Sequence, residues 1–322
     1  MKRTLVLISQ YLIALLFIFS GFVKCVDPTG TALKMEEYFY AFGTDFLVPF
    51  AMAFALVMCG VELLIGVLLL LNIRVKLAIW GALLMMLFYT PLTLWLAISD
   101  KVTDCGCFGD AIKLSNWGTF IKNLIIDVFL LILFLGRKTI KPRLKARYQT
   151  GGLILFTLII GVFEWYSITR LPVIDFLPYK TGANIQEGMI SPADNPPIHD
   201  FVIFTQDGQV VTDLVLDNSG INYLLVIASL EKANLKYFNE VNRIYESAIT
   251  KGYGFYAVTS SLPEEYEHFR EQTKASYPIY MMDGTTLKTM IRSNPGLLLL
   301  ENGTIRGKWH FRSFDKALNF TY

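Results

Sequence analysis

Two cysteines separated by one glycine are the residues of this chain best suited to chemistry. They lie in the segment Asp104-Cys-Gly-Cys-Phe-Gly-Asp110, whose glycines and short spacing predict a tight turn that holds two sulfurs close together. A disulfide across so short a ring is strained, and strained disulfides are more oxidising and more labile. Cys105 and Cys107 are therefore a candidate redox pair.

Other roles for these cysteines stay open. A structural disulfide is one, for example from Cys25 to one member of the pair, and a metal site is another, although the first half of the chain has no histidine. Cys59 lies inside an apolar run and is predicted to be a small core residue. The C-terminal half has no cysteine, which excludes a disulfide framework and a cysteine zinc site there.

Two carboxyl groups lie inside apolar runs, at Glu62 and Asp127. A lone carboxylate in hydrocarbon costs several kcal/mol, so such groups usually face a bundle interior and find partners. The favoured interpretation is a neutral or hydrogen-bonded carboxyl that fixes helix packing. A proton relay or a contact with a quinone is the alternative.

The elements that must position these residues are five apolar runs of membrane-spanning length. The hydrophobic fraction of 53% and the charged fraction of 17% agree with a membrane protein. The first run is longer than a signal-peptide core and no cleavage pattern follows it, which predicts an uncleaved helix. The runs are Leu5–Val23, Phe46–Leu71, Leu77–Ile98, Trp117–Leu135 and Gly152–Ile168.

Lysine and arginine in the short loops predict the orientation of these helices. Most fall on one side, including the cluster from Arg137 to Arg147, which predicts a cytoplasmic N-terminus. After five crossings, the C-terminal domain lies outside, in the periplasm of a Gram-negative cell. The candidate redox pair and a first external loop from Gly21 to Gly43, containing Lys24, Cys25 and Asp27, lie on that same outer side.

The membrane half resembles the DoxX/MauE superfamily over about residues 1–140. The resemblance rests on Gly21-Phe22-Val23-Lys24 with Asp27-Pro28, on the intramembrane Glu62, and above all on the Cys-Gly-Cys-Phe-Gly string. It implies a four-helix membrane domain, with Cys105 and Cys107 as functional thiols and roles in disulfide formation or quinone-linked redox systems. The layout with a fifth helix and a fused outer domain resembles a DoxX-type group of Bacteroidetes.

The C-terminal half alternates strands and helices, which predicts an α/β domain with a mixed sheet. An apolar run predicts a buried strand at Tyr223–Ala228, followed by an amphipathic helix at Lys232–Thr250. A hairpin is predicted around Asp207-Gly208, from Phe201–Thr205 and Gln209–Leu216. The remaining predicted elements are strands at Gly254–Thr259, Pro278–Met282, Leu297–Leu300 and Thr304–His310, and helices at Pro263–Thr273 and Thr285–Ile291.

This order resembles the thioredoxin fold over about residues 195–322. The resemblance implies that Pro295, just before the penultimate strand, is a cis proline facing the redox pair. The positions of the two family cysteines are held here by Glu231 and Asn234. The domain therefore lacks the CxxC pair and cannot exchange disulfides itself, which leaves a scaffold and a peptide-binding groove beside Pro295. The predicted parts are residues 1–140, a basic loop with the fifth helix and a connector over 141–194, and residues 195–322.

Several classes of site have no support in the sequence. The net charge of +2 gives no reason to expect nucleic-acid binding. His199, His268 and His310 are scattered without metal-ligand spacing, and we predict surface or edge positions for all three. No cofactor is certain, although a quinone stays open.

Three functions remain as hypotheses. The first is an inner-membrane redox helper whose Cys105/Cys107 loop exchanges thiols with a periplasmic or membrane protein partner. The second is a non-catalytic envelope scaffold or assembly factor that uses the thioredoxin-like domain as a binding module. The third is a small-molecule carrier with Glu62 and Asp127 as coupling carboxyls, which the lack of a visible internal repeat disfavours.

Overall fold

A computed structural model describes residues 3–102, 105–141, 144–190, 196–216 and 220–320. The chain forms two compact units, Met1–Thr169 and Arg170–Tyr322. The boundary expected at residue 140 lies inside the first unit, because the fifth long helix packs with the first four. The boundary expected at residue 194 lies inside the second unit. Of the linker at 191–197, residues 191–195 lie outside the described part.

Among the described residues, the first unit contains five helices long and apolar enough to cross a membrane, as predicted. A helix of 15 residues lies between the first two crossings, and a 3₁₀ turn, Asp45–Phe50, begins the second crossing. The helices are α1 (Arg3–Val26), α2 (Pro28–Phe42), α3 (Ala51–Leu71), α4 (Val75–Ser99), α5 (Asn116–Gly136) and α6 (Ala146–Thr169).

The prediction of an external loop beginning at Gly21 was wrong. Helix α1 continues to Val26, so Lys24 and Cys25 are helical and buried. The chain breaks only at Asp27, whose side chain accepts a hydrogen bond from the Gly30 amide at 2.9 Å and caps α2, with Pro28 at the first helical position. Asp-Pro is a strong helix-start signal, and it places the break later than the first polar residue.

Helices α1 and α3 are antiparallel and approach closely at two glycines. A Cβ atom on Gly21 would lie 2.7 Å from the Leu63 Cα atom, and one on Gly66 would lie 2.6 Å from the Ile18 amide nitrogen. Each step along α1 therefore matches an equal step back along α3. Lys24 lies one turn after Gly21 on α1 and Glu62 precedes Leu63 on α3, so their long side chains meet beside the Gly21 contact.

The second unit is built on one five-stranded mixed sheet. The strand order is β3-β2-β1-β4-β5, in which β1, β2 and β3 are parallel and β4 is antiparallel to both β1 and β5. The strands are β1 (Ile221–Ile227), β2 (Gly254–Thr259), β3 (Ile279–Met281), β4 (Gly296–Glu301) and β5 (Thr304–His310).

Helices and ordered segments cover both faces of this sheet. One face packs against α9 (Phe238–Thr250), α10 (Glu264–Thr273) and α12 (Phe314–Leu318). The other packs against α7 (Ile185–Ile190), α8 (Thr212–Leu216) and α11 (Gly284–Met290). The three layers and the strand order confirm the predicted α/β thioredoxin-like fold.

The predicted hairpin around Asp207-Gly208 was wrong in its strands. Pairing is limited to an isolated bridge from Phe204 to Val210 and another from Phe204 to Met281. Residues Thr212–Leu216 form α8, and the neighbouring Val215 and Leu216 are both buried. Adjacent residues of a strand point to opposite faces, so only a helical turn buries both on the same core.

Candidate functional site

Cys105 and Cys107 form a disulfide in the turn between α4 and α5. Both residues are half-buried. Gly106 and Gly109 adopt left-handed conformations, with φ of 63° and 52°, which lets the chain turn on either side of Cys107. The predicted tight turn is confirmed, although Asp104 of the same motif lies outside the described residues.

Hydrogen bonds from two other helices hold this turn in place. The Ser20 hydroxyl of α1 donates to the Cys107 carbonyl at 2.7 Å, and the Tyr38 hydroxyl of α2 donates to the Cys105 carbonyl at the same distance. A Cβ atom on Gly109 would lie only 3.2 Å from Val23 Cγ1. The turn that carries the disulfide therefore rests against the C-terminal part of α1 and against α2.

Beneath Cys107 lies a cavity of about 30 Å³, which we call the inner cavity. It reaches from the loop disulfide into the helix bundle. A cavity of this size holds about two water molecules, and polar side chains form much of its wall. Its lining is Leu16, Phe17, Ser20, Lys24, Glu62, Met86, Tyr89, Cys107, Phe108, Lys122, Asn123 and Ile126.

A buried ion pair crosses the inner cavity. The Lys24 ammonium lies 2.6 Å from Glu62 Oε2, and the two side chains are only 4% and 5% exposed. The Tyr89 hydroxyl donates to the same carboxylate oxygen at 3.4 Å. Glu62 was predicted to be a neutral or hydrogen-bonded carboxyl that fixes helix packing, and the structure gives it an ion pair with Lys24, a residue predicted to lie in the external loop.

Lys122 is a functional candidate that the sequence reasoning missed. It lies on α5, and its ammonium is 4.5 Å from the centroid of the Phe108 ring. Phe108 directly follows Cys107 in the sequence. Within the described ranges, no carboxylate forms an ion pair with it. The signal that could have identified it is a lysine followed by an asparagine inside an apolar run, because ionisable residues inside spans are rare and usually functional.

The second predicted carboxyl, Asp127, lies apart from Glu62. The Thr90 hydroxyl of α4 donates to Asp127 Oδ2 at 2.8 Å, and the residue is half-buried. Its neighbour Ile126 lines the inner cavity, but Asp127 does not. The two carboxyls are therefore not parts of one site.

Cys25 is a buried free thiol and makes no disulfide with the loop. Its Sγ donates to Glu164 Oε1 on α6 at 3.4 Å, within an apolar cluster that also contains Cys59. The neighbouring Trp165 and Tyr166 predict an interfacial helix end at Glu164. This prediction is wrong, because only 8% of Glu164 is exposed. The fifth helix thus contributes a polar contact to the four-helix core.

In the second unit, Arg170–Tyr322, which we call the soluble unit from its polar composition, the Asn294–Pro295 peptide is cis, as predicted. The Asn234 amide donates to the Asn294 carbonyl at 3.1 Å, and Asn294 Nδ2 donates to the Ser229 carbonyl at 2.8 Å. Asn234 therefore lies beside the cis proline segment, while Glu231 is exposed. These internal bonds occupy backbone acceptors beside Pro295, where a peptide-binding groove was expected.

His310 ends the edge strand β5, which agrees with the predicted surface or edge position, but its side chain is buried. Its Nδ1 accepts a hydrogen bond from the Arg312 amide at 3.2 Å, and its ring lies 4.0 Å from that of Phe311. Burial, helped by the positive charges of Arg312 and Arg170, lowers the pKa of His310 to about 4. His199 and His268 are exposed.

Comparison with known proteins supports the interpretation of the membrane unit. Residues 2–136 match the family model described as methylamine utilisation protein MauE. The membrane region is MauE-like. No curated protein matches the chain.

Two solved structures are similar to the C-terminal part of the chain. One is a solution structure of a provisionally assigned protein disulfide isomerase from Bacteroides thetaiotaomicron, with 18% identity over 38% of this chain and 82% of that one, and a TM-score of 0.31. Another is the crystal structure of a thioredoxin-family thiol:disulfide interchange protein from Chlorobium tepidum, with 12% identity over 37% and 91% and a TM-score of 0.27.

The inner cavity does not fit a quinone. Tyr89 and Lys122 carry donors that could bind a quinone oxygen, but a space for about two waters excludes a six-membered ring. Metal binding has no donor set either, since no three His, Cys, Asp or Glu side chains cluster suitably within the described part of the chain.

Proposed function

We propose that this protein is a membrane-anchored thiol–disulfide exchange factor that accepts electrons from a partner protein through the loop disulfide. The observation that carries the proposal is the half-exposed Cys105–Cys107 disulfide held over a cavity that contains Lys24, Glu62 and Lys122. A disulfide that is reached from solvent on one side and backed by cations on the other is suited to exchange.

The exchange moves two electrons and two protons. A partner thiolate attacks one loop sulfur, the bond between Cys105 and Cys107 breaks, and a mixed disulfide forms while the other loop sulfur leaves as a thiolate. The second partner thiol then loses its proton and attacks the partner sulfur of the mixed disulfide. The mixed disulfide breaks, and the loop cysteine leaves as a thiolate. The partner ends as a disulfide and the loop as a dithiol, so atoms and charges balance.

The proposed location is the inner membrane, with the loop disulfide and the soluble unit on the periplasmic side. The basic residues that support this orientation include Arg74, Lys76, Arg137, Lys138 and Lys145. In this proposed orientation, with five crossings, the turn after α4 and the chain after α6 lie on the outer side. An oxidising compartment is where a disulfide of this kind persists.

A second candidate function is a non-catalytic envelope scaffold. It is favoured by the soluble unit, which has no cysteine and whose site beside Pro295 is closed by internal hydrogen bonds. In this case the loop disulfide would only stabilise the fold, and the soluble unit would bind partners through another surface.

Thiol trapping in intact cells separates the two functions. Cells are quenched with acid, and free thiols are labelled in the wild type and in the Cys105→Ser and Cys107→Ser variants. We expect a partly reduced loop in the wild type and a trapped mixed disulfide with another protein in one variant. Cys59→Ala, which removes a buried thiol outside the loop, serves as the matched control and should trap nothing.

A permanently oxidised loop, with serine variants that keep activity but lose stability, would overturn the exchange function and favour the scaffold.

A further inference from the structure

The two sulfurs of the loop disulfide have different surroundings. Cys107 lines the inner cavity, whereas Cys105 does not. Both cysteines line a second, smaller pocket at the turn, which we call the outer pocket, together with Lys113, Leu114 and Thr119. When the disulfide opens, Cys107 therefore borders a charged cavity that Cys105 does not line.

Among the residues that the structure describes, the inner cavity is lined by two ammonium groups and one carboxylate, an excess of one positive charge. Lys24 and Glu62 form a pair at 2.6 Å and cancel each other. Lys122 lines the same cavity, with no counter-ion among the residues that the structure describes. Because Glu62 is already paired with Lys24 and the disulfide is neutral, a Cys107 thiolate would supply the second anion that balances the charge of the cavity.

The other charged groups near the loop lie outside the inner cavity. Lys34 packs against the turn at Gly106, but it is paired with Glu37 at 2.8 Å. Lys113 is exposed, and Asp110 is half-buried in the same turn. Asp104 lies outside the described residues. Among the described groups, Lys122 is thus the cation placed to act on Cys107 from within the bundle.

We propose that a partner thiolate attacks the Cys105 sulfur, and that Cys107 leaves as a thiolate into the inner cavity, where the Lys122 ammonium stabilises it. This assignment rests on the proposed function and adds a direction to it. The bond that forms joins the partner sulfur to Cys105 Sγ, the bond that breaks joins Cys105 to Cys107, and its electron pair goes to Cys107 Sγ. A leaving thiolate beside a cation departs faster.

The direction of attack can be tested with glutathione as the probe. Purified full-length protein in detergent micelles is mixed with reduced glutathione, quenched with acid, and alkylated, and peptide mass spectrometry locates the adduct. We expect glutathione on Cys105 in about tenfold excess over Cys107, which corresponds to a difference of one pKa unit in leaving-group stabilisation. Equal labelling, or labelling mainly on Cys107, would overturn the assignment.

The role of Lys122 needs a readout that a packing role would not change. In the reduced Cys105→Ser variant, the rate of alkylation of Cys107 by iodoacetamide is followed against pH. Lys122→Met should lower this rate about tenfold near pH 7 and leave it unchanged at high pH, where the thiol is fully ionised. Lys122→Arg should restore the rate. Lys113→Met, at the outer pocket, is the matched control and should have no effect.

The two proposals fail in distinguishable ways. If neither glutathione nor dithiothreitol opens the loop disulfide, the exchange function fails, and the assignment fails with it. If the disulfide opens with adducts on Cys107, or if Lys122→Met lowers the rate equally at all pH values, only the assignment is wrong.

Discussion

The polar side chains around Cys107 include three charged ones, whereas those that form hydrogen bonds beside Pro295 are neutral amides and hydroxyls. The membrane site holds an ion pair and a further ammonium within an apolar bundle. The soluble site satisfies its backbone with Asn234 and Asn294 and has no sulfur. Burying a charge costs free energy, so we expect the charges around Cys107 to serve a function. The soluble site is held together by uncharged polar groups.

The largest effect is expected from breaking the ion pair. Glu62→Leu leaves the Lys24 ammonium buried without a counter-ion, and removing one partner of a buried pair costs about 3–5 kcal/mol. Thermal unfolding of the purified protein in detergent measures the loss. The double variant Lys24→Met/Glu62→Leu should recover most of it.

Asp127→Asn is the matched control, because that carboxyl is half-buried and bonded to a hydroxyl. We expect it to cost less than about 1 kcal/mol, in the range of an ordinary hydrogen bond. A double variant as unstable as Glu62→Leu would contradict the role of the pair and weaken the contrast between the two sites.

The second effect concerns His310 and tests whether the soluble unit depends on neutral groups. Its pKa is about 4 in the folded state against 6.5 ordinarily, so the unfolded state takes up a proton first as the pH falls. The free energy of unfolding should therefore drop by about 2 kcal/mol between pH 7 and pH 5. Hydrogen exchange in β4 and β5 of the full-length protein, corrected for intrinsic rates, measures this.

His310→Asn should remove most of this pH dependence. His268→Asn changes an exposed histidine and should leave the pH dependence as it is. An unchanged pH profile in His310→Asn would show that carboxylates, not this imidazole, control the acid sensitivity of the unit.

A smaller effect is expected at the glycine between the two cysteines. Gly106 has a φ of 63°, and a Cβ atom there would lie 3.0 Å from Lys34 Cγ. Gly106→Ala should cost about 1–2 kcal/mol and reduce the fraction of protein with an oxidised loop, measured by thiol labelling. Gly208→Ala in the soluble unit, with a φ of 79° and open space around it, should cost about 1 kcal/mol without changing the loop.

Equal oxidation of the loop in both glycine variants would mean that the turn at Gly106 does not position the sulfurs.

The smallest effect is expected at the soluble site. Asn294→Ala removes the hydrogen bond to the Ser229 carbonyl and should cost about 1 kcal/mol in urea unfolding. Thiol exchange with glutathione should be unaffected, because the loop disulfide carries the chemistry. A loss of exchange in this variant would show that the site beside Pro295 takes part after all.

The sequence predicted the elements better than the contacts between them. Long apolar runs and alternating strands carry local signals, and both halves of the fold followed from them. Lys24 and Glu164 were placed at the surface because their burial depends on partners 38 and 139 residues away, which no local pattern reveals. The same reason explains Lys122, whose importance comes only from its position beneath the loop.

In the soluble unit, the failures were at the edges of the sheet. The hairpin signal at Asp207-Gly208 gave a turn as expected, but tertiary packing of Val215 and Leu216 overrode the strand that followed it. His310 ends an edge strand, a position that is usually exposed, yet Phe311 and Arg312 cover it. Burial there depends on the chain after the strand and not on the strand itself.

Both edges of the five-stranded sheet are covered by the chain's own backbone. The Phe204 main chain pairs with Met281 on β3, and Asn184 pairs with Thr304 on β5. Open edges are templates for pairing with other chains, and natural proteins cover or interrupt them. A domain tethered to a bilayer meets its copies in two dimensions at high local density. Covered edges allow many copies to crowd one membrane without adding strand to strand.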